Sequence, residues 1–145
     1  MARVSTYLNF NGNTEQAFLF YRAVFGGDFN SPIHRFRDAP AAPGQPPTPA
    51  DTANMVMHVE LMLLGDHILM GTDAPESMGF TVAEGNNVHI NLEPDTRTEA
   101  ERLFNALTAG GKVDMPLQDM FWGAYFGSLT DRFGIHWMIN CANKV

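Results

Sequence analysis

Side chains that can exchange protons or form hydrogen bonds recur at alternate positions of several strand-like segments. They are Ser5, Tyr7, His58, Glu60, His89 and Asn91, and the thioether of Met138 lies at such a position on the last strand-like segment. Because successive side chains of a strand point to opposite faces, these residues share one face and their apolar neighbours occupy the other. An imidazole titrates near neutrality, so His89 is a candidate metal-free acid or base, with Glu60 or Tyr7 as a possible partner.

The polar faces have two interpretations. An antiparallel sheet commonly leaves one face in water, and these residues then need no further role. Their types are His, Asn, Tyr and Met rather than the Lys, Glu and Arg of open surface, which favours a semi-enclosed cleft that binds a small organic molecule. A lone histidine on a strand is also often a hydrogen-bonded structural group, and this alternative applies to His58, His89 and His136.

One segment, residues 116–127, is dense in aromatic residues. It carries Phe121, Trp122 and Tyr125 within "PLQDMFWGAYFG". Such a segment is typical of a core edge, a dimer surface or an aromatic-lined pocket. We include the three residues among the candidate ligand contacts.

Composition excludes several classes of function. The chain has 145 residues, 16 of them acidic and 9 basic, a formal net charge of -7 and no Lys/Arg cluster, so we expect neither nucleic acid nor an anionic membrane as a partner. It contains no run of 18 apolar residues. Cys141 is the only cysteine, which excludes an intrachain disulfide and suits a reducing compartment. These features predict a cytoplasmic protein.

A shift of 84 residues brings two similar segments into register. Both Asn13–Gly27 and Arg97–Gly111 predict amphipathic helices that end at a Gly pair. An alternating strand precedes each helix, over Arg3–Phe10 and Asn87–Pro94, and the apolar helix positions predict the core face. Those positions are Ala17, Phe20, Tyr21 and Val24 in the first segment and Ala100, Leu103, Phe104 and Leu107 in the second.

Three more strand candidates follow each helix. The six candidates are Asp28–Arg37, Asn54–Leu64, His67–Gly71, Lys112–Met115, Tyr125–Leu129 and Ile135–Cys141. The pattern predicts a single domain built from two βαβββ modules, about 1–74 and 84–145, in an α+β fold. Residues 38–53 hold five of the nine prolines and predict a loop, which is either a tolerated surface insertion or a flap over a cleft.

Three longer segments resemble one protein family. They are "YLNFNGNTEQAFLFYRAVFGG", "MHVELMLLGDHILMGTDAP" and "FWGAYFGSLTDRFGIHWMIN". They are similar to the PhnB-like branch of the vicinal-oxygen-chelate superfamily, which groups glyoxalase, bleomycin-resistance proteins and extradiol dioxygenases. The resemblance implies tandem modules that form a curved, mixed or antiparallel sheet with a cleft, and a homodimer whose chains complete each other's clefts.

In the metal-dependent members of this superfamily, four strands each supply one metal ligand. The resemblance places these positions at Ser5, at Leu69 or Met70, at His89 and at Met138, so His89 alone keeps a typical ligand type. A divalent ion prefers several oxygen and imidazole donors, and we therefore expect no metal and no cofactor. The resulting prediction is a metal-free cleft for a small organic molecule, with no catalysis assigned.

Two alternatives stay open beside this prediction. One is a metal-dependent lyase or dioxygenase that recruits Glu60 or His58 beside His89; the other is a drug-sequestering protein of the bleomycin-resistance kind. The branch also carries a methyltransferase label. The turn "NFNGNTE" offers one glycine and no doubly wound sheet follows it, so the sequence does not predict an adenosyl-cofactor site.

Overall fold

The computed structural model describes residues 1–39, 43–46 and 48–144. The chain divides into two compact units, Met1–Ala83 and Glu84–Val145. Each unit contains a four-stranded mixed sheet and a 12-residue helix in the order β-α-β-β-β. Among the described residues, the first unit also has a four-residue α-helix and three short 3-10 helices. The predicted tandem modules and the α+β class are confirmed.

The first unit is built on α1 and four strands. Its elements are β1 (Thr6–Phe10), α1 (Thr14–Phe25), β2 (His34–Arg35), α2 (Ala50–Ala53), β3 (Val56–Met62) and β4 (Ile68–Asp73). The strand order is β1-β4-β3-β2. Strand β1 runs parallel to β4, and the other pairs are antiparallel. Helix α1 is the crossover from β1 to β2, which lies at the opposite edge of the sheet.

The second unit repeats this topology. Its elements are β5 (Ile90–Leu92), α3 (Arg97–Thr108), β6 (Lys112–Asp119), β7 (Tyr125–Thr130) and β8 (His136–Cys141). The order β5-β8-β7-β6 again has one parallel pair, β5 with β8. No helix among the described residues has the length and hydropathy needed to cross a membrane.

The helices meet the sheets through apolar faces that the sequence largely predicts. All four predicted core positions of α3 are buried. In α1 the buried aromatic residues are Phe18 and Tyr21, whereas Phe20 is only half-buried, so the predicted place of Phe20 in the core is wrong. Equivalent positions of the two helices are 83 residues apart in the chain, as Ala17 and Ala100 are. Equivalent positions of the strands are 84 residues apart. Between equivalent strand and helix positions, the first unit therefore has one residue more than the second.

Several strands differ in length from their predictions. Strand β1 begins at Thr6, and Val4, predicted to face the helix, is 85% exposed. Strand β5 is limited to Ile90–Leu92. Strand β2 is also short because Pro32 has no N–H to donate to a ladder.

Two predicted loops contain regular structure. Helix α2 forms the end of the proline-rich segment 38–53 and buries Thr52, while residues 40–42 and 47 lie outside the described residues. In the aromatic segment 116–127, β6 extends to Asp119 and β7 begins at Tyr125. The segment is therefore a hairpin, closed by a hydrogen bond from Met120 N to Ala124 O of 2.9 Å.

A buried carboxylate connects α1 to the first sheet. Asp73, at the end of β4, accepts hydrogen bonds from Thr14 N (3.1 Å), Thr14 Oγ1 (2.6 Å) and Val56 N (2.8 Å). A negative charge at this place also suits the N-terminus of a helix. These bonds fix β1, β3 and β4 relative to the helix, and so fix the sheet face that points away from it.

Candidate functional site

The face of the first sheet that points away from α1 carries a group of polar or weakly polar side chains on β1, β3 and β4. We call it the first-sheet polar face: Tyr7, Asn9, His58, Glu60, Met70 and Thr72. The strand register pairs Met70 with Tyr7 on one side and with Glu60 on the other. Met70 and Thr72 are half-buried, and Tyr7 is 46% exposed. This face is accessible and its side chains are held on three adjacent strands.

His58 is held at both of its ring nitrogens. Its Nε2 lies 2.9 Å from Glu60 Oε2, and its Nδ1 lies 3.2 Å from the Tyr7 hydroxyl. The Tyr7 and His58 ring centroids are 5.8 Å apart. Glu60 and His58 are two positions apart on β3 and therefore share a face. The structure thus places a carboxylate, an imidazole and a phenol in one hydrogen-bonded row.

The surroundings lower the pKa of Glu60 and raise the pKa of Tyr7, the two outer groups of this row. The hydrogen bond from His58 is the main cause that holds the pKa of the Glu60 carboxyl below its ordinary value. Burial raises the pKa of the Tyr7 phenol, the charge of Glu60 raises it further, and a hydrogen bond with Thr72 offsets part of this change. At neutral pH Glu60 is a carboxylate and Tyr7 is a phenol.

Leu69 does not belong to this face. It is fully buried and lies on the helix side of β4, so the structure corrects the choice of Leu69 as a ligand contact. Met70, the neighbouring residue, occupies the polar face instead. Ser5 lies just before β1 and is half-buried.

The second sheet has an equivalent face with different chemistry. Asn91 on β5 pairs with Met138 on β8, and Met138 pairs with Ser128 on β7. These three residues occupy the positions that Tyr7, Met70 and Glu60 hold in the first unit. The carboxylate and phenol are therefore replaced by a hydroxyl and an amide.

His89 and His136 are neighbours in the second unit. His89 lies directly before β5, is half-buried, and its ring centroid is 5.4 Å from that of His136. His136 Nε2 lies 2.7 Å from the Gly85 carbonyl oxygen, and its Nδ1 lies 2.9 Å from Thr130 Oγ1. These contacts give His136 a structural role, as one of the sequence interpretations held.

The aromatic hairpin separates its residues between two faces. Phe121 is 97% exposed and lies against Trp122, whose ring centroid is 6.1 Å from that of Phe126. Tyr125 lies on the helix side instead: the Arg97 guanidinium stacks on its ring at 4.6 Å, and its hydroxyl donates to Glu101 Oε1 at 3.0 Å. The structure thus corrects the grouping of Tyr125 with Phe121 and Trp122.

The residues at the superfamily's metal positions do not fit a divalent ion. Met70 and Met138 offer thioethers and Ser5 a neutral hydroxyl, which leaves His89 as the one typical donor among them. Within the described ranges, no group of three or more His, Cys, Asp or Glu side chains is arranged to hold a metal ion. We derive no chemical step through a metal.

Sequence reasoning missed two aspects of the site. The alternation on β4 places Met70 and Thr72 on the polar face, and the register with β1 confirms it, but sequence alone left Leu69 and Met70 as alternatives. The spacing of His58 and Glu60 predicts a shared face, yet it does not say which neighbour the other ring nitrogen of His58 meets. That partner, Tyr7, is 51 residues away.

Comparison with known proteins identifies relatives along almost the whole chain. The family model described as 3-demethylubiquinone-9 3-methyltransferase matches residues 2–140. The crystal structure of the Pseudomonas aeruginosa protein PA1353 is 40% identical, with a TM-score of 0.81, and the match covers 97% of this chain and 98% of that one. Protein YjdN of Escherichia coli is 31% identical over 97% of this chain and 96% of its own length.

Two further solved structures define the fold. The PhnB protein from Bacillus cereus is 26% identical, with a TM-score of 0.73, over 97% of this chain and all (100%) of that one. A glyoxalase/bleomycin resistance protein/dioxygenase family enzyme from Burkholderia phytofirmans is 20% identical, with a TM-score of 0.62, over 95% of this chain and 98% of that one. The fold is thus that of PhnB-like vicinal-oxygen-chelate proteins.

Proposed function

Because this chain belongs to the 3-demethylubiquinone-9 3-methyltransferase family and has a PhnB-like fold, we propose that it binds a small organic molecule on the first-sheet polar face. The observation that carries the proposal is the row Tyr7–His58–Glu60, with bonds of 3.2 and 2.9 Å. Each of these groups has a hydrogen-bond partner within the row, and each remains partly accessible to solvent. Ligand sites commonly combine such convergent polar groups with an apolar lining, which Met70 supplies.

Methyl transfer is not part of this proposal. An adenosyl cofactor normally binds at the first turn of a doubly wound parallel sheet. The described residues form two βαβββ modules. The sheet of each module has one parallel pair of strands. The activity in the family description therefore has no matching cofactor site in the part of the chain that the structure describes.

Blocking the first-sheet polar face is expected to abolish binding. A panel of small organic acids, amides, phenols and planar cations is screened by thermal shift, and each compound that stabilises the protein is measured by calorimetry. Met70→Lys places a long charged chain between Tyr7 and Glu60, so affinity should fall at least about tenfold, equivalent to about 1.4 kcal/mol.

The repeat supplies the matched control for this experiment. Met138→Lys makes the same change at the equivalent position of the second sheet, and compounds bound on the first face should keep their affinity. Equal loss in both variants, or no compound bound by the wild type, would count against the proposed site.

A second candidate function rests on the aromatic hairpin. The exposed Phe121 and Trp122 form a cluster with the half-buried Phe126 that suits a planar cation, as in a drug-sequestering protein. The same panel distinguishes this candidate site from the first-sheet polar face, since binding of a planar cation would then depend on Trp122 and not on Met70. Heat of binding that persists in Trp122→Ala would exclude the cluster as the site.

We also propose a cytoplasmic homodimer. Apolar side chains stay exposed in each unit, among them Met62 at 45%, Phe121 at 97% and Val113 at 46%, and a second copy of the chain is the proposed partner that covers them. The single thiol, Cys141, is buried and suits a reducing compartment. Light scattering at micromolar concentration should give twice the 16.0 kDa of one chain, and a monomer mass would contradict the dimer.

A further inference from the structure

The hydrogen bonds of His58 define its tautomer. A carboxylate only accepts hydrogen bonds, so in the neutral imidazole the ring proton lies on Nε2 and is donated to Glu60 Oε2 at 2.9 Å. The lone pair of Nδ1 then faces Tyr7, whose hydroxyl donates to it at 3.2 Å. Glu60 thus orients a neutral imidazole with its basic nitrogen directed along the accessible face.

The two bonds differ in strength. The contact with Glu60 is short and assisted by the charge of the carboxylate, which favours its persistence. The contact with Tyr7 is longer, lies in the exposed part of the face and joins two neutral groups. A bound molecule can therefore replace His58 as the acceptor of the Tyr7 proton at little cost, which releases the Nδ1 lone pair.

We propose that Tyr7, His58 and Glu60 form a proton-transfer site for a neutral carbon acid, a molecule whose C–H proton is lost while an oxygen atom gains negative charge. His58 Nδ1 accepts the proton, Glu60 stabilises the imidazolium, and the Tyr7 hydroxyl donates to the charged oxygen. The inference rests on the proposed function, because the molecule has to bind on this face.

The proposed step is balanced without a further reactant. The C–H bond breaks, an N–H bond forms at Nδ1, and the electron pair of the C–H bond is delocalised onto the oxygen. The imidazolium then returns its proton to the product or to water. The raised pKa of the Tyr7 phenol keeps that group protonated as a donor.

The test uses 5-nitrobenzisoxazole, a neutral carbon acid. Loss of its ring C–H proton breaks the N–O bond and gives a coloured cyanonitrophenolate, so the reaction is an isomerisation that needs a base alone. The wild-type rate should exceed that of buffer at the same pH. Because a positioned base contributes about 100-fold or more, His58→Gln should lose about 100-fold in rate.

Three further variants separate the roles. Glu60→Gln keeps an acceptor for Nε2–H but removes the charge that stabilises the imidazolium, so we expect about a tenfold lower rate. Tyr7→Phe should also lower the rate, because it removes the donor to the charged oxygen. His34 pairs with His58 across β2 and β3, and it serves as the matched control, since His34→Gln should keep the wild-type rate.

The outcomes distinguish this inference from the binding proposal. A wild-type rate equal to that of buffer, a full rate in His58→Gln, or equal losses in His58→Gln and His34→Gln would each overturn the proton-transfer site. If Met70→Lys still abolishes binding of panel compounds in that event, the binding site stands. Thermal unfolding of every variant shows whether a lost rate reflects a lost fold, and Tyr7→Phe, the smallest change, preserves the test if His58→Gln unfolds.

Discussion

Replacing Asp131 by alanine is expected to lower the midpoint of thermal unfolding by about 10 °C. Asp131 is 3% exposed and precedes the turn that leads into β8. Its Oδ1 accepts hydrogen bonds from Phe133 N (2.8 Å) and Ile135 N (3.0 Å), and its Oδ2 accepts one from Trp137 Nε1 at 2.8 Å. One carboxylate therefore holds both the turn and the largest buried side chain of the second unit.

The size of the effect follows from the three donors that lose their acceptor. A buried donor left without an acceptor costs about 1–3 kcal/mol; the Trp137 indole N–H is buried and the two turn amides are part-buried, so the total loss in the free energy of unfolding is about 3 kcal/mol. For a chain of this length, each kcal/mol lowers the midpoint by about 3 °C. Circular dichroism during heating measures the change.

Two control variants show whether hydrogen bonding is the cause. Asp131→Asn keeps one oxygen acceptor for the two turn amides, and its midpoint should fall by roughly half as much. Asp114→Ala removes an exposed carboxylate of the same unit, which accepts from Thr130 at 2.7 Å, and should change stability by less than about 1 kcal/mol. A midpoint for Asp131→Ala within the error of the wild type would refute the structural role of this carboxylate.

The same strand shows how far the sequence determines the fold. The alternation of Ile135, Trp137 and Ile139 predicts the apolar face of β8, and Trp137 and Ile139 are fully buried. Gly134 adopts a positive φ of 86° in the turn before β8, a conformation that favours glycine. The role of Asp131 was not predictable, because it depends on the turn conformation that brings two amides and an indole to one carboxylate.

Helix phase was harder to predict than helix position. The repeat of 84 residues aligned Phe20 with Phe104, but a one-residue difference between strand and helix rotates one helix by about 100° relative to that alignment. At the observed offset of 83 residues Tyr21, and not Phe20, corresponds to Phe104, and both of these residues are buried, whereas Phe20 is half-buried. A periodicity of 3.6 residues identifies an amphipathic helix, and tertiary packing decides which residues at the edge of its apolar face enter the core.

The sequence predicts which strand and which face each residue of the candidate site occupies, but it does not predict which of these residues touch. Strand parity places Tyr7 on one face of β1, and His58 and Glu60 on one face of β3. Their contact requires the register with β4, in which a slip of one residue exchanges the two faces. Leu69 and Met70 illustrate this sensitivity, since Leu69 is fully buried and Met70 pairs with Tyr7. The sequence therefore identifies the residues of the site but does not predict the hydrogen bonds between them.

Gly71 is the second position at which a small change should have a large effect. It lies on β4 between Met70 and Thr72, on the side that faces α1. A Cβ atom there would overlap Phe18 Cε1 and lie 2.8 Å from Phe18 Cζ and 3.1 Å from Thr14 Cγ2. Phe18 is fully buried, so its ring has little room to move. We expect Gly71→Ala to reduce the free energy of unfolding by about 1–3 kcal/mol.

A double-mutant cycle isolates the cause. Phe18→Leu alone should destabilise the unit by removing buried aromatic contacts, but it also shortens the side chain that a new methyl group would meet. The cost of Gly71→Ala should therefore be at least about 1 kcal/mol smaller in the Phe18→Leu background. Strictly additive losses would refute the steric explanation. Because Met70 and Thr72 flank Gly71, the close contact with α1 that requires a glycine also fixes the strand that lies between Tyr7 and Glu60.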